Sequence, residues 1–541
     1  MILIYPPVVK PCESPAGIAR LAGALNRRGI PCVLLDMNIE GQLYLMRQPH
    51  AAADNWTRRA IRNLSGNIAA LKDLRTYQSP DRYARAVRDV QRVLAVSGGD
   101  SGAITGLADY HHERLSPVRS GDLIKAAEHP EVNPFYPFFQ KRLPEIMEKG
   151  RARAVGISLN YLSQALCAFS LIGCIRREFP GTRVIIGGGL VSSWVKRPGW
   201  KNPFGGLVDE LIDGPGENPL LELLGVAPVK EPPWLVTTTK HDNPPLPPFG
   251  KGGMGGLSYK RQSLPDYGSL PLSDYLAPGF ILPYSGADGC YWHKCSFCPE
   301  TAEKNAYHPA PPGQAIADLQ SLVVKTGSTL LHLLDNAINP ALLRALADSP
   351  PGVPWYGFAR VGRELADGDF CMALKRSGCV MLQLGLESGD QGVLDALQKG
   401  MELKTASQVL KNLHKAGIAT YVYLLFGAPP ETVTEARRTL DFVIGHQEEI
   451  SFLNLAIFNM PAFGPEAGEY ETAPFYEGDL SLYTGFRHPR GWDRKLVRQF
   501  LEKEFKRNSA VALILKNDPP VFTSNHAAFF KRPKNDELAK N

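Results

Sequence analysis

The sequence predicts an α/β protein made of two parallel sheets in succession, closed by a helical C-terminal cap. Three observations predict it. Short apolar runs alternate with amphipathic segments of helical period once before residue 225 and again after residue 280. A stretch rich in Pro and Gly, residues 225–275, lies between the two runs. The second run repeats its strand and helix unit six times, fewer than the eight of a closed barrel.

In the first run, residues 1–5 form an apolar strand, residues 15–28 an amphipathic helix ended at Gly29, and residues 32–36 a second strand. The pattern resumes with a strand at 152–158, a helix at 162–178, a strand at 183–186 followed by Gly187, Gly188 and Gly189, and a last strand at 207–212 before GPGEN. Five short strands with helical crossovers indicate a doubly wound (Rossmann-like) parallel sheet spanning residues 1–224. Inside it, residues 48–150 are a polar, helix-forming insertion. Its Arg82, Arg85, Arg88 and Arg92 fall three or four apart, on one helix face, with Val87, Val90 and Val93 partly opposed. Such a stripe reads either as a contact for an anionic ligand or as an ordinary solvated face.

Residues 225–275 contain NPPLPPFGKGGMGG, a composition expected to hold no packed element. GKGGMGG lacks the spacing of a phosphate loop, and no strand leads into it.

The second run, residues 276–465, is expected to form a partial (β/α)6 barrel. Its strands are residues 281–285 before three cysteines, 330–334 before Asp335 and Asn336, and 354–359 before Arg360. They continue with 380–385 before Leu386, Glu387 and Ser388, then 418–426 before GAPPET, and 452–458 before NMP. Helices fill the gaps, as at 313–325, 405–416 and 432–446. Chemistry on such folds gathers at the C-terminal ends of strands, where all of these residues are placed. Residues 466–541 are expected to be a helical cap and tail. Within them Thr523, Ser524, Asn525 and His526 lie among Phe522, Phe529 and Phe530, either to close over the site or to dock the terminus for stability.

Composition bounds the function. The 541 residues call for two or three domains. An apolar fraction of 44% and a charged fraction of 21% describe an ordinary globular chain. Net charge of +6 indicates neither nucleic acid nor an anionic membrane as partner. The start, MILIYPPVVKPCESP, has no basic n-region or cleavage site, and no apolar run approaches the roughly 18 residues of a membrane span, so a cytoplasmic protein is expected. Nine cysteines, six of them scattered at Cys12, Cys32, Cys167, Cys174, Cys371 and Cys379, make no disulfide framework. Cys371 and Cys379 read as buried packing thiols.

The other three, Cys290, Cys295 and Cys298, sit together in GADGCYWHKCSFCPE. A structural zinc site closes with four protein ligands, whereas three thiolates leave one coordination position for something that is not protein. His293 as a fourth zinc ligand is the alternative.

With these residues on the page, the second half resembles the radical S-adenosylmethionine (SAM) superfamily, whose signature is C-x3-C-x2-C with an aromatic before the last cysteine. The chain keeps Phe297 and the C-x2-C, but places four residues, Tyr291, Trp292, His293 and Lys294, in the first gap. The resemblance implies a [4Fe–4S] cluster on Cys290, Cys295 and Cys298, with SAM on the unique iron. It implies that Glu387 and Ser388 meet the ribose and amino groups of SAM, that Gly427, Pro429 and Glu431 lie beside the adenine, and that Asp335 and Asn336 contact the amine. Arg360 holds the SAM carboxylate by position alone. Plainer readings stand beside these: Glu387 caps a helix starting near Gly389, and Pro429 to Thr432 is an ordinary helix start with Pro in its first turn.

The first half resembles the cobalamin-binding domain that precedes the barrel in one large subfamily, through YPPVVKPCESPAGIARLAGAL, LLDMN, the GGG turn and VDELIDGPGEN. The chain has no D-x-H-x-x-G, so cobalamin stays open. If it binds, the loops after Ser158 and Ile186 cradle it.

The leading expectation is cobalamin-dependent methyl transfer or a radical rearrangement. Direct hydrogen abstraction without cobalamin, and a non-catalytic metal- or nucleotide-binding regulator, are the alternatives. A methylthiotransferase is set aside, because the cysteines of the first half do not form the second cluster set it needs. The resemblance implies an electron donor such as flavodoxin or ferredoxin; the substrate is not legible. Replacing Cys290 with alanine is expected to abolish the cluster, measured as iron and sulfide content, and a cluster that survived would overturn the ligand assignment.

Overall fold

Strand order explains how the two halves meet. The computed structural model describes residues 1–48, 54–150, 152–226, 263–474, 478–520 and 527–531. Counting only the strands of the two main sheets, the first comprises β1 (Ile2–Tyr5), β2 (Val33–Asp36), β3 (Ala154–Ser158), β4 (Arg183–Gly187) and β5 (Glu210–Leu211). They lie parallel in the order β2-β1-β3-β4-β5. That order reverses direction between β1 and β3, which opens a crevice at the strand C-termini. β1 and β3 are buried along their whole length, as a sheet covered by helices on both faces requires.

The second sheet comprises β6 (Ile281–Tyr284), β7 (Leu330–Leu333), β8 (Trp355–Ala359), β9 (Cys379–Glu387), β10 (Ala419–Phe426) and β11 (Phe452–Ile457). Each pairs in parallel with the next, and β6 and β11 are the two edges, giving the expected open six-unit barrel.

The insertion is helical, with Pro80–Val96 burying Val87, Val90 and Val93. It also carries a two-stranded ribbon, Ala103–Thr105 with Tyr110–His112, too short to leave a periodic signal. The arginine stripe is divided: Arg92 bonds Asp54 and Thr57 and lies over the Trp56 ring at 5.1 Å.

Two expectations are corrected. The described part of the connecting stretch, residues 263–275, has no helix or strand but is packed. Tyr267, Leu270 and Tyr275 are buried, and the Tyr275 hydroxyl donates to Asp36 at 2.8 Å. Its aromatics supply the anchorage that the Pro and Gly content did not suggest; NPPLPPFGKGGMGG lies outside the described residues. The cap, in turn, is not purely helical. Beside helices Arg494–Phe500 and Ser509–Lys516 it holds a small antiparallel sheet of Met460–Pro461, Thr472–Ala473 and Tyr483–Phe486.

Of the two readings of the C-terminus, the described residues support docking. Phe530 packs on Phe452, the first residue of β11, at 5.6 Å, and Lys531 donates to the Pro278 carbonyl ahead of β6. Both contacts lie at the strand N-termini, opposite the cysteines. Residues 523–526 are outside the described residues. Among the described residues no helix is long and apolar enough to cross a membrane.

A carboxylate from the first half enters the second. Glu13, in the loop after β1, accepts from His332 Nδ1 on β7 at 2.8 Å and from the Tyr356 hydroxyl on β8 at 2.7 Å. His332 stacks flat on Tyr356, with ring centroids 4.3 Å apart. Burial alone would push the Glu13 carboxyl up, but the His332 ring, with Lys10 and Tyr356, holds it down at about 2. Because the folded value lies below the unfolded one of 4.5, the stabilisation is complete above pH 4.5 and is lost as pH falls towards 2. Glu13→Gln is expected to cost about 3 kcal/mol at pH 7 and to flatten the fall in stability across that window, measured by urea unfolding at stepped pH.

Candidate active site

The site begins where β6 stops. Ala287–Asp288 pairs antiparallel with His308–Pro309, pinching the intervening chain into a closed loop that carries all three cysteines. Gly289 opens that loop at φ +75, and a Cβ there would lie 2.4 Å from the Ala306 carbonyl, so only glycine fits. Asp335 at the end of β7 is buried and accepts from the Gly286 amide at 2.8 Å, while Asn336 lies 3.5 Å from the Gly289 carbonyl. The pair therefore braces the base of the cysteine loop.

Cys295 is buried; Cys290 and Cys298 are half-buried. Burial pushes the Cys298 thiol up to about 11, and charge on Cys295 or Cys290 adds to the rise. Cys295 is also raised by burial, against the pull of Lys399 and Arg360. Cys298 thus lies within electrostatic reach of the other two thiols of the loop. Among the described residues, no three His, Cys, Asp or Glu side chains are already arrayed as a metal-holding group, and His293 does not complete one. The donor chemistry nonetheless fits a thiolate-bound iron–sulfur group: three soft sulfurs, and two cations beside Cys295 to offset negative charge.

One cation comes from a strand end and the other from the loop after the helix Gln391–Ala396. Arg360 follows β8; its Nη1 is 3.9 Å from Cys295 Sγ and its Nη2 donates to the Lys399 carbonyl. Lys399 Nζ pairs with Glu387 Oε1 at 2.7 Å, both side chains largely buried. Glu387 ends β9 in the left-handed region, φ +66, at a shift in the register with β10. It is not a helix cap: Asp390 caps Gln391–Ala396, accepting from the Val393 amide. Ser388 points elsewhere, into a buried contact with Thr439 while accepting from the Asp390 amide.

The turn after β10 is held from behind. Gly427 sits at φ +80 and its amide donates to Glu431, which is fully buried and also accepts from Trp492 Nε1 at 2.9 Å. Burial pushes this carboxyl up to about 7. His488 bonds the Ala428 carbonyl at 2.9 Å, so the cap fixes the turn whose Pro429 is buried. Thr432 caps the next helix in a reciprocal pair with Glu435, which puts both prolines before the helix instead of in its first turn.

A cavity of about 910 Å³ joins the halves. Ser158, Asn160 and Gly187 to Gly189 line it from the ends of β3 and β4, and Ser285, Gly289 and Asn336 from the ends of β6 and β7. Glycine walls keep it open: a Cβ at Gly188 would lie 2.6 Å from the Leu159 carbonyl. Arg20 clamps its rim, binding Glu217 of the first half and both oxygens of Asp288 at 2.5 and 2.8 Å. Sequence reasoning missed Arg20, Glu13 and Lys399. The signal for Arg20 was an arginine in the middle of a helix that is otherwise apolar up to Asn26.

No family model matches the chain. Over 81 residues it is 32% identical to bacteriochlorophyllide d C-12(1)-methyltransferase of Chlorobaculum tepidum, covering 15% of this chain and 18% of that protein. Over 218 residues it is 24% identical to an uncharacterized methyltransferase of Pyrococcus horikoshii, covering 35% of this chain and 46% of that one. The chain thus spans less than half the length of these curated relatives. Among solved structures, the radical S-adenosylmethionine methyltransferase TsrM from Kitasatospora setae, with cobalamin and a [4Fe–4S] cluster bound, aligns at TM-score 0.51. The identity is 16%, over 87% of this chain and 74% of TsrM. TsrM with its tryptophan substrate and a SAM analogue aligns at 0.50, again at 16% identity, over 86% and 75% of the two chains. The chain shares the α/β fold of that enzyme, doubly wound sheet and partial barrel together.

Arg20→Met removes the cation that two carboxylates share, and is expected to cost about 2–4 kcal/mol in urea unfolding. Asp288→Asn in the same background is expected to restore part of the loss.

Proposed function

We propose that this protein is a radical SAM enzyme that transfers methyl groups with cobalamin as a second cofactor. The observation that carries the proposal is the shared cavity, bounded by the C-terminal strand ends of both sheets with the cysteine loop at its rim. A single-cofactor barrel needs no glycine-lined wall from a second sheet.

In this reading Cys290, Cys295 and Cys298 hold a [4Fe–4S] cluster, and the glycine turns after β3 and β4 cradle cobalamin. When bound, the cluster supplies the electron that breaks a carbon–sulfur bond of SAM, and cobalamin supplies a cobalt centre for methyl transfer. The chain's own residues position the substrate of that cleavage. Glu387 accepts from the SAM amino group or ribose, its side chain oriented by Lys399. Gly427 and Pro429 present a flat turn to the adenine, held rigid by Glu431, Trp492 and His488. Asp335 and Asn336 fix the loop base and meet the amine from that side. Arg360 retains N–H donors for the SAM carboxylate beyond those it gives Lys399 and Cys295. Ser388 acts through the Asp390 turn. The reading calls for a one-electron donor of the flavodoxin or ferredoxin class.

Anaerobic reconstitution followed by iron, sulfide and cobalt analysis tests it. About four irons and one cobalt per chain are expected, with SAM consumed on reduction. Iron without cobalamin uptake would favour direct hydrogen abstraction instead. Colourless protein holding only zinc would overturn both.

A further inference from the structure

The cysteine loop carries one residue more than the usual spacing, and the structure gives Trp292, within that gap, a defined seat. Its Nε1 donates to the Gln398 carbonyl at 3.0 Å, and its ring lies against Gly400, where a Cβ would come within 2.0 Å of it. Gln398 and Gly400 are both left-handed, at φ +52 and +62, which flattens the chain under the indole. His293, the next residue in the loop, is also left-handed at φ +47. The loop turns there, next to Trp292 and within the lengthened gap.

What the indole holds is a charge. The Arg360 guanidinium lies over its ring, 4.2 Å from the centroid, and reaches to 3.9 Å from Cys295 Sγ. The Lys399 carbonyl fixes its other arm. Lys399 itself is neutralised by Glu387, whereas among the described residues no carboxylate pairs with Arg360. In the SAM-free protein a cation with no carboxylate partner is therefore fixed beside one of three thiolates, with an N–H directed at its sulfur.

Charge near a thiolate-bound cluster and hydrogen bonds to its sulfurs set its reduction potential. Reduction adds one negative charge, and a cation held in a partly buried site stabilises the reduced form more than the oxidised one. Resting on the cluster assignment above, we propose that Trp292 is a positioning residue which holds Arg360 against Cys295 and so raises the potential at which the cluster accepts its electron. The lengthened gap is the device that puts Trp292 there. The electron comes from an external low-potential flavin or iron–sulfur donor, and no bond in the protein changes.

The test is an anaerobic redox titration followed by electron paramagnetic resonance, with iron and sulfide measured on each sample. Wild type is compared with Trp292→Leu, Trp292→Phe, Arg360→Met and Arg360→Lys. Iron content near wild type is expected throughout. Trp292→Leu and Arg360→Met are expected to lower the midpoint by a tenfold change in the one-electron equilibrium, ~59 mV. Trp292→Phe, which keeps a ring under the guanidinium, and Arg360→Lys, which keeps the charge, are expected to recover most of it. A loaded Arg360→Met protein at the wild-type midpoint would overturn the assignment. Should Arg360→Met lose its iron, a Trp292→Leu midpoint equal to that of wild type would overturn it equally. Wild type that takes up no iron would instead overturn the cluster assignment, and this one with it.

Discussion

Arg20 joins two carboxylates 197 and 268 residues away from it in the chain, one on each side of the cavity. Glu217 follows the last strand of the first sheet, and Asp288 belongs to the two-residue ladder that closes the cysteine loop. The guanidinium fork meets Asp288 with two parallel N–H bonds, which fixes orientation as well as distance. The clamp spaces the ends of the two sheets together with Ser193, which donates to Glu303, and Lys196, which donates to Asn305, across the same cavity. Glu13 repeats the principle deeper in the molecule, where a loop of the first half is tied to His332 and Tyr356 of the barrel. Two charged contacts therefore orient halves that apolar packing alone would leave free to rock, since hydrophobic contact is non-directional.

The electrostatics of the site follow from this placement. Two strand ends and the loop after Gln391–Ala396 bring Arg360, Glu387 and Lys399 together, and the net charge they leave beside Cys295 is positive. That sign suits thiolates, which burial otherwise keeps protonated. The turn after β10 carries no exposed charge of its own. Its one acid, Glu431, is turned back onto the Gly427 amide and the Trp492 indole. A turn of this kind offers backbone and apolar surface, while the opposite rim offers charge.

Much of this was legible along the chain. Strand and helix alternation marked all eleven main strands, because apolar periodicity is a local property of sequence. Cys290, Cys295 and Cys298 stood out by their spacing, Glu387 by the resemblance and Arg360 by its place after a strand of a β/α repeat. The misses share a cause as well. Tyr267 and Tyr275 pack a stretch whose Pro and Gly content suggested none, and the small sheet of the cap has strands of two to four residues, too short for any period to show. Ser388 stood next to Glu387 in sequence but faces Thr439, because the left-handed turn at Glu387 sends the two side chains apart.

The sequence by itself determined the order of elements, the three thiols on one loop, and the resemblance to enzymes that cleave SAM. These depend on neighbours within a few residues, and local sterics and hydrophobic spacing decide them. Only the tertiary structure decided that Arg20 and Lys399 stand beside the cysteine loop, that Glu13 reaches into the barrel, and that Trp292, in the lengthened gap after Cys290, lies beneath Arg360. It also decided that Glu431 supports its turn from behind. Each of these rests on a partner at least four residues and mostly dozens or hundreds away, and which partner is chosen depends on how whole sheets pack, a property that no short window of sequence contains.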